Sequence, residues 1–85
     1  MAKAVVKVMT EVGLHARPAA EFVKAVAASG HLVHITNRTG KKVLGNSILG
    51  ILSLGIKHGE EITIEVSGLS EEAVLESLIA VVSGL

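Results

Sequence analysis

The chain has no cysteine, no tryptophan and no tyrosine, with a single phenylalanine and a single proline. Without cysteine there is neither a disulfide framework nor a thiolate metal site. One aromatic residue offers no stacking platform for a single nucleic-acid strand, so the core must be assembled from Val, Ile, Leu and Ala. Net charge is lacking too: eight basic residues cancel eight acidic ones, which excludes nucleic-acid binding driven by bulk charge. No apolar run approaches the roughly 20 residues that span a bilayer. The first residues, Met-Ala-Lys-Ala-Val-Val-Lys, pass straight into strand-like alternation rather than a signal peptide's apolar stretch. The expectation is a cytoplasmic protein without membrane insertion. Linkers, low-complexity tracts and internal repeats are missing as well, so the 85 residues, 1–85, read as a single small domain.

What is present is periodicity. Ala4 to Met9 alternates, with Val6 and Val8 on one face and Lys3, Val5 and Lys7 on the other, as in a half-buried strand. From Ala16 the period lengthens: Ala19, Phe22, Val23 and Val26 form the apolar stripe of a helix that Ser29-Gly30 stops. His31 to Asn37 alternates again with Val33 and Ile35 inward, Asn37-Arg38-Thr39-Gly40 turns the chain, and Lys41 to Leu44 makes a short third strand. A brief helix follows, capped by Ser47 or Asn46. After a turn at Lys57-His58-Gly59-Glu60, Glu61 to Val66 alternates with Ile62, Ile64 and Val66 inward. Ser70 is the expected cap of a last helix, Glu71 and Glu72 lie near its positive end, and Leu75, Leu78, Ile79 and Val82 are its buried stripe. The order is βαββαβα. Because all four strands alternate, the pattern predicts an α+β fold: an antiparallel sheet with one face under helices and the other wet.

The chemistry concentrates in Gly13-Leu14-His15-Ala16-Arg17-Pro18-Ala19-Ala20. His15 lies between a glycine-flexed loop and a helix start, and Pro18 suits a first helical turn, where backbone N–H groups lack intrahelical partners. Those groups and the positive end of the helix dipole favour an anion, phosphate above all. Imidazole is largely the free base near neutrality and can attack phosphorus. Arg17 can offer its guanidinium fork to phosphoryl oxygens, and the amides of Ala16 and Arg17, with Pro18 behind them, form the cradle. There is no P-loop, no metal-binding carboxylate cluster and no room for a nucleotide domain, so the reading is a carrier fed by partners rather than an enzyme, with no cofactor.

Gly-Leu-His-Ala-Arg-Pro-Ala resembles the active-site signature of HPr, the histidine phosphocarrier of the bacterial phosphoenolpyruvate:sugar phosphotransferase system. Asn46-Ser47-Ile48-Leu49-Gly50-Ile51-Leu52-Ser53-Leu54-Gly55-Ile56 resembles that family's regulatory-serine helix, and length and element order fit across essentially the whole chain. The resemblance implies the HPr-like open-faced β-sandwich, with a four-stranded antiparallel sheet covered on one face by three helices. It further implies that Nδ1 of His15 takes a phosphoryl group from phosphorylated enzyme I and passes it to enzyme II A domains during sugar uptake. Ser-Ile-x-Gly at Ser47 matches the site that a dedicated HPr kinase/phosphorylase modifies in some bacteria, which brings a transcriptional regulator into the set of implied partners. Val12 departs from the pattern: close relatives usually carry a small polar residue there that can hydrogen-bond near the helix start. Valine cannot, which removes that bond and leaves the phosphorylation reading in place.

Other residues have plainer readings. Ser47 as a helix cap needs no further purpose. Ile48, Leu49, Ile51, Leu52 and Leu54 are more apolar residues than one short helix can bury, so some must be exposed. Leu14, Ala20, Ile48, Leu49, Ile51 and Leu52 are therefore the candidate docking surface beside His15. His31, His34 and His58 are read as surface or turn residues, because His31 and His34 point to opposite faces of a strand and no carboxylate or thiol completes a metal set. Lys41 and Lys42 read as solvated charge. The competing functional classes are a nitrogen-branch paralogue, a regulatory binding module acting through Ser47 with His15 silent, and, weakest, a nucleic-acid-binding domain. A monomer is expected of a shuttle that meets its partners in turn.

Overall fold

Alternating apolar residues become one sheet. The computed structural model describes residues 2–9 and 16–84. Its elements are β1 (Ala2–Lys7), α1 (Ala16–Ser29), β2 (Leu32–Thr36), β3 (Lys42–Leu44), α2 (Ile48–Ser53), β4 (Glu61–Ser67) and α3 (Glu71–Ser83). The strands lie in the order β1-β4-β2-β3 with every neighbour antiparallel. β1 begins earlier than its own alternation suggests, because β4 is long enough to pair Ala2 with Val66. Past Lys7 the pairing continues through Val8, whose N–H donates to Glu60 at 2.9 Å and whose carbonyl accepts from Gly59 at 2.7 Å.

The period of two puts Val33, Ile35, Ile62, Ile64 and Val66 on one face, all buried. The helices cover that face: α3 packs on β1 and β4, and α1 packs against both α3 and α2. Phe22, the lone aromatic, is fully buried from α1 beside Ala19 and Val26. The opposite face keeps Lys3, Val5 and Lys7 exposed on β1, and there Lys42 meets the carboxylate of Glu65 at 3.4 Å. This is the open-faced α+β sandwich that the pattern predicts. Among the described residues, no helix is long and apolar enough to cross a membrane.

Three expectations need correction. Ser70 stands at the N-cap position of α3, but its backbone is left-handed (φ 56°, ψ 34°) and its side chain makes no capping bond. A cap residue ordinarily has extended backbone, which aims its oxygen at the free N–H groups; Ser70 does not. Lys41 and Lys42 are not merely solvated: Lys41 Nζ donates to the carbonyl of Ser53 at 3.3 Å, and Lys42 pairs with Glu65. Ile51, placed on the docking surface from sequence, is fully buried in the core.

Candidate functional site

α1 starts at Ala16, immediately after His15. The first turn of any helix leaves its N–H groups without intrahelical acceptors. Pro18 has no N–H to waste there, and its ring is buried while Arg17 beside it is exposed. The turn therefore has the free amides of Ala16 and Arg17 and the positive end of a 14-residue helix, with the exposed Arg17 side chain on the same turn. His15, Leu14, Gly13 and Val12 lie outside the described residues.

The second predicted segment is the short helix α2. Ser47 is its cap: with φ −112° and ψ 110° it is extended, and its Oγ accepts the N–H of Gly50 at 3.0 Å. This decides between Asn46 and Ser47. A six-residue helix has one inward side, which here takes Ile51, while Leu54 at the C-terminal cap is buried with it. Leu49 is 80% exposed, Ile48 40% and Leu52 37%. α1 and α2 are in contact, and each keeps exposed side chains, Arg17 and Ala20 on α1 and these aliphatics on α2.

The far end of α2 is tied down by Asn37, expected in a turn, and by Lys41, expected as solvated charge at the start of the third strand. Asn37 Nδ2 donates to the carbonyl of Leu54 at 3.2 Å, and Lys41 Nζ reaches that of Ser53. Asn37 Oδ1 meanwhile accepts from Thr39 N–H at 3.1 Å, Thr39 Oγ1 at 2.8 Å and Lys41 N–H at 2.9 Å. The Asn-x-Thr-Gly composition signals an asparagine-folded turn, but nothing local signals its reach to α2. The β2–β3 turn thus sets where the apolar helix sits. Among the described residues, no group of three His, Cys, Asp or Glu side chains could hold a metal ion.

Residues 2–83 match the family model for the phosphorylation site of the HPr component of the phosphotransferase system. The chain is 44% identical over 71 residues to phosphocarrier protein HPr of Streptomyces coelicolor, an alignment spanning 84% of this chain and 76% of that protein. Its structure is similar to that of HPr-C-His from Thermoanaerobacter tengcongensis, with a TM-score of 0.91, 31% identity and coverage of 99% of this chain and 93% of the other. It is also similar, at TM-score 0.76 and 38% identity over 99% and 95% of the two chains, to the Bacillus subtilis catabolite repression protein Crh, described as a dimer with a swapping domain. With a family model matched over nearly its whole length, and that model's fold beneath it, the chain belongs to the HPr family.

Proposed function

We propose that this protein carries a phosphoryl group on His15, accepting it from phosphorylated enzyme I and delivering it to enzyme II A domains in sugar uptake. The observation that supports this most directly is the start of α1 right after His15, with Arg17 exposed in the first turn. In the accepting step the lone pair of a ring nitrogen, Nδ1 by family resemblance, attacks phosphorus as the bond to the donor breaks. The delivering step reverses this toward the next acceptor. Arg17 and the amides of Ala16 and Arg17 balance charge on the phosphoryl oxygens in both directions. Ala20, Ile48, Leu49 and Leu52 form the apolar surround on which partners dock, and Leu14, next to His15 in sequence, is assigned to the same role. The carrier works as a monomer; Lys3 and Lys7 on the edge strand β1 oppose edge-to-edge pairing.

The test is incubation with phosphoenolpyruvate and a bacterial enzyme I, followed by intact mass. The expected result is gain of one phosphoryl group that mild acid removes and that His15→Ala does not take up. No gain with several enzymes I would overturn the reading.

The likeness to Crh favours a second reading, a regulatory module acting through Ser47 with His15 silent. Against it stands the intact set His15, Arg17 and Pro18. A dianion on Ser47 would lie at the N-terminus of α2, tolerated by the helix and felt by partners through the apolar patch around it. Modification of Ser47 by a serine kinase, together with full biological activity of His15→Ala, would favour this second reading.

A further inference from the structure

At the end of α1 remote from Ala16, half-buried His31 leads into β2 with each ring nitrogen facing a carbonyl oxygen. Nδ1 lies 2.7 Å from the carbonyl of Ser29, the last residue of α1. Nε2 meets the carbonyl of Leu69, in the loop that joins β4 to α3. A carbonyl oxygen can only accept. A neutral imidazole has one N–H and one bare lone pair, so it can serve one of these oxygens while its lone pair opposes the other. An imidazolium donates to both.

Two further features show that the loop is shaped around the ring. A Cβ on Gly68 would fall 2.7 Å from His31 Cδ2, and Gly68 has φ +132°, so glycine supplies both the clearance and the backbone shape. Ser70, two residues further on, is left-handed and gives α3 no side-chain cap. The loop thus forgoes the ordinary fastening at the start of a helix, and His31 grips it one residue earlier. The ring's own backbone is steadied from the α1 side: its N–H donates to Ser29 Oγ at 3.2 Å, and that hydroxyl donates to Val26 O at 2.7 Å.

We propose that His31 is a proton-operated latch between the end of α1 and the entry to α3, closed when the ring carries two protons and loosened when it carries one. From α1 and from the loop, carbonyls stand against the two ring nitrogens; from α3 the charged group acting on the ring is Glu71, whose negative charge favours the closed form. The direction of titration agrees. The Leu69 carbonyl first, then that of Ser29, hold the ring above its ordinary 6.5 against an opposing effect of lost water, with Glu71 adding a weaker push in the same upward direction. A raised folded-state value means the latch contributes fully below the unfolded value and is lost as pH rises through the folded one. At 1.5 Å per residue, α1 separates the latch from Ala16 by about 20 Å. The latch therefore acts on the stability of this end, leaving phosphoryl chemistry at His15 untouched.

The experiment is an NMR titration of the full chain across the imidazole range, with the His31 ring assigned through bonds from its own backbone amide in the wild-type protein. Expected are a His31 midpoint above 6.5, both ring nitrogens protonated below it, and amide shifts at Gly68 to Glu72 that follow the same midpoint. Hydrogen exchange of those amides, corrected for its intrinsic pH dependence, rises above the midpoint. The urea midpoint of the wild-type chain, measured against His31→Gln, should fall over the same span. A His31 midpoint at or below 6.5, or loop amides that ignore it, would overturn the latch, and the wild-type titration decides this even if the variant fails to fold.

Discussion

Ser47 Oγ lies 3.0 Å from the backbone nitrogen of Gly50, which donates to it. That bond closes the open end of a helix only six residues long, where one unsatisfied turn would be most of the element. The same hydroxyl is the one a kinase would modify in the regulatory reading. Capping and regulation therefore compete for one oxygen.

Ser47→Ala should lower stability by about 1 kcal/mol, the ordinary loss of a helix cap. Ser47→Asp, which keeps an acceptor, should lose less. Urea denaturation of the two variants against the parent measures both, and equal losses would remove the cap from the account of α2.

Asn37→Ala should cost about 1–3 kcal/mol, because it removes three accepted bonds within the turn and the donor to Leu54. Asn37→Asp keeps the acceptors and loses the donor, so it should fall between parent and Ala. Hydrogen exchange should place the effect of either change at the C-terminal turn of α2.

Ile51 and Leu49 separate packing from docking. Ile51 is fully buried and Leu49 is 80% exposed. Ile51→Ala should cost about 2–5 kcal/mol of stability through the cavity it leaves. Leu49→Ala should stay within about 0.5 kcal/mol while slowing phosphoryl exchange with enzyme I or an enzyme II A domain. Stopped-flow transfer rates on both variants would show whether the exposed residue matters to partners.

Arg17→Ala should leave the fold intact, since the side chain is exposed, and slow transfer through His15 by about tenfold to a hundredfold. That range is what about 1.5–3 kcal/mol of charge-assisted hydrogen bonding is worth. Arg17→Lys keeps the charge without the fork and should recover part of the rate. Full recovery would mean that charge alone, and not bidentate geometry, is needed.

The start of α1 was legible because its signals are adjacent in sequence. The helix start after His15 was visible in the change of period at Ala16, and α1 does begin there. Burial of Val33, Ile35, Ile62, Ile64 and Val66 followed from alternation alone, and all are buried. Ile51 was misplaced because five apolar residues within Ile48 to Leu54 give no local sign of which ones the core claims. Ser70 was misread for a related reason: the residue type suits a cap, but its backbone is left-handed, in a loop where Gly68 lies close against the His31 ring.

By itself, then, the sequence determined the elements, their order, the inward face of each strand and the phosphocarrier motif. These depend on side-chain period and on residues a few positions apart. Tertiary structure alone decided that Asn37 and Lys41 anchor the end of α2 and that Ile51, not Leu49, enters the core. It also decided that His31 faces a carbonyl from a residue 38 positions away. Such bonds arise where the sheet order β1-β4-β2-β3 brings distant segments to the same end of the molecule. The energy of a polar group depends on which donor or acceptor stands opposite it, and only the folded chain supplies that partner.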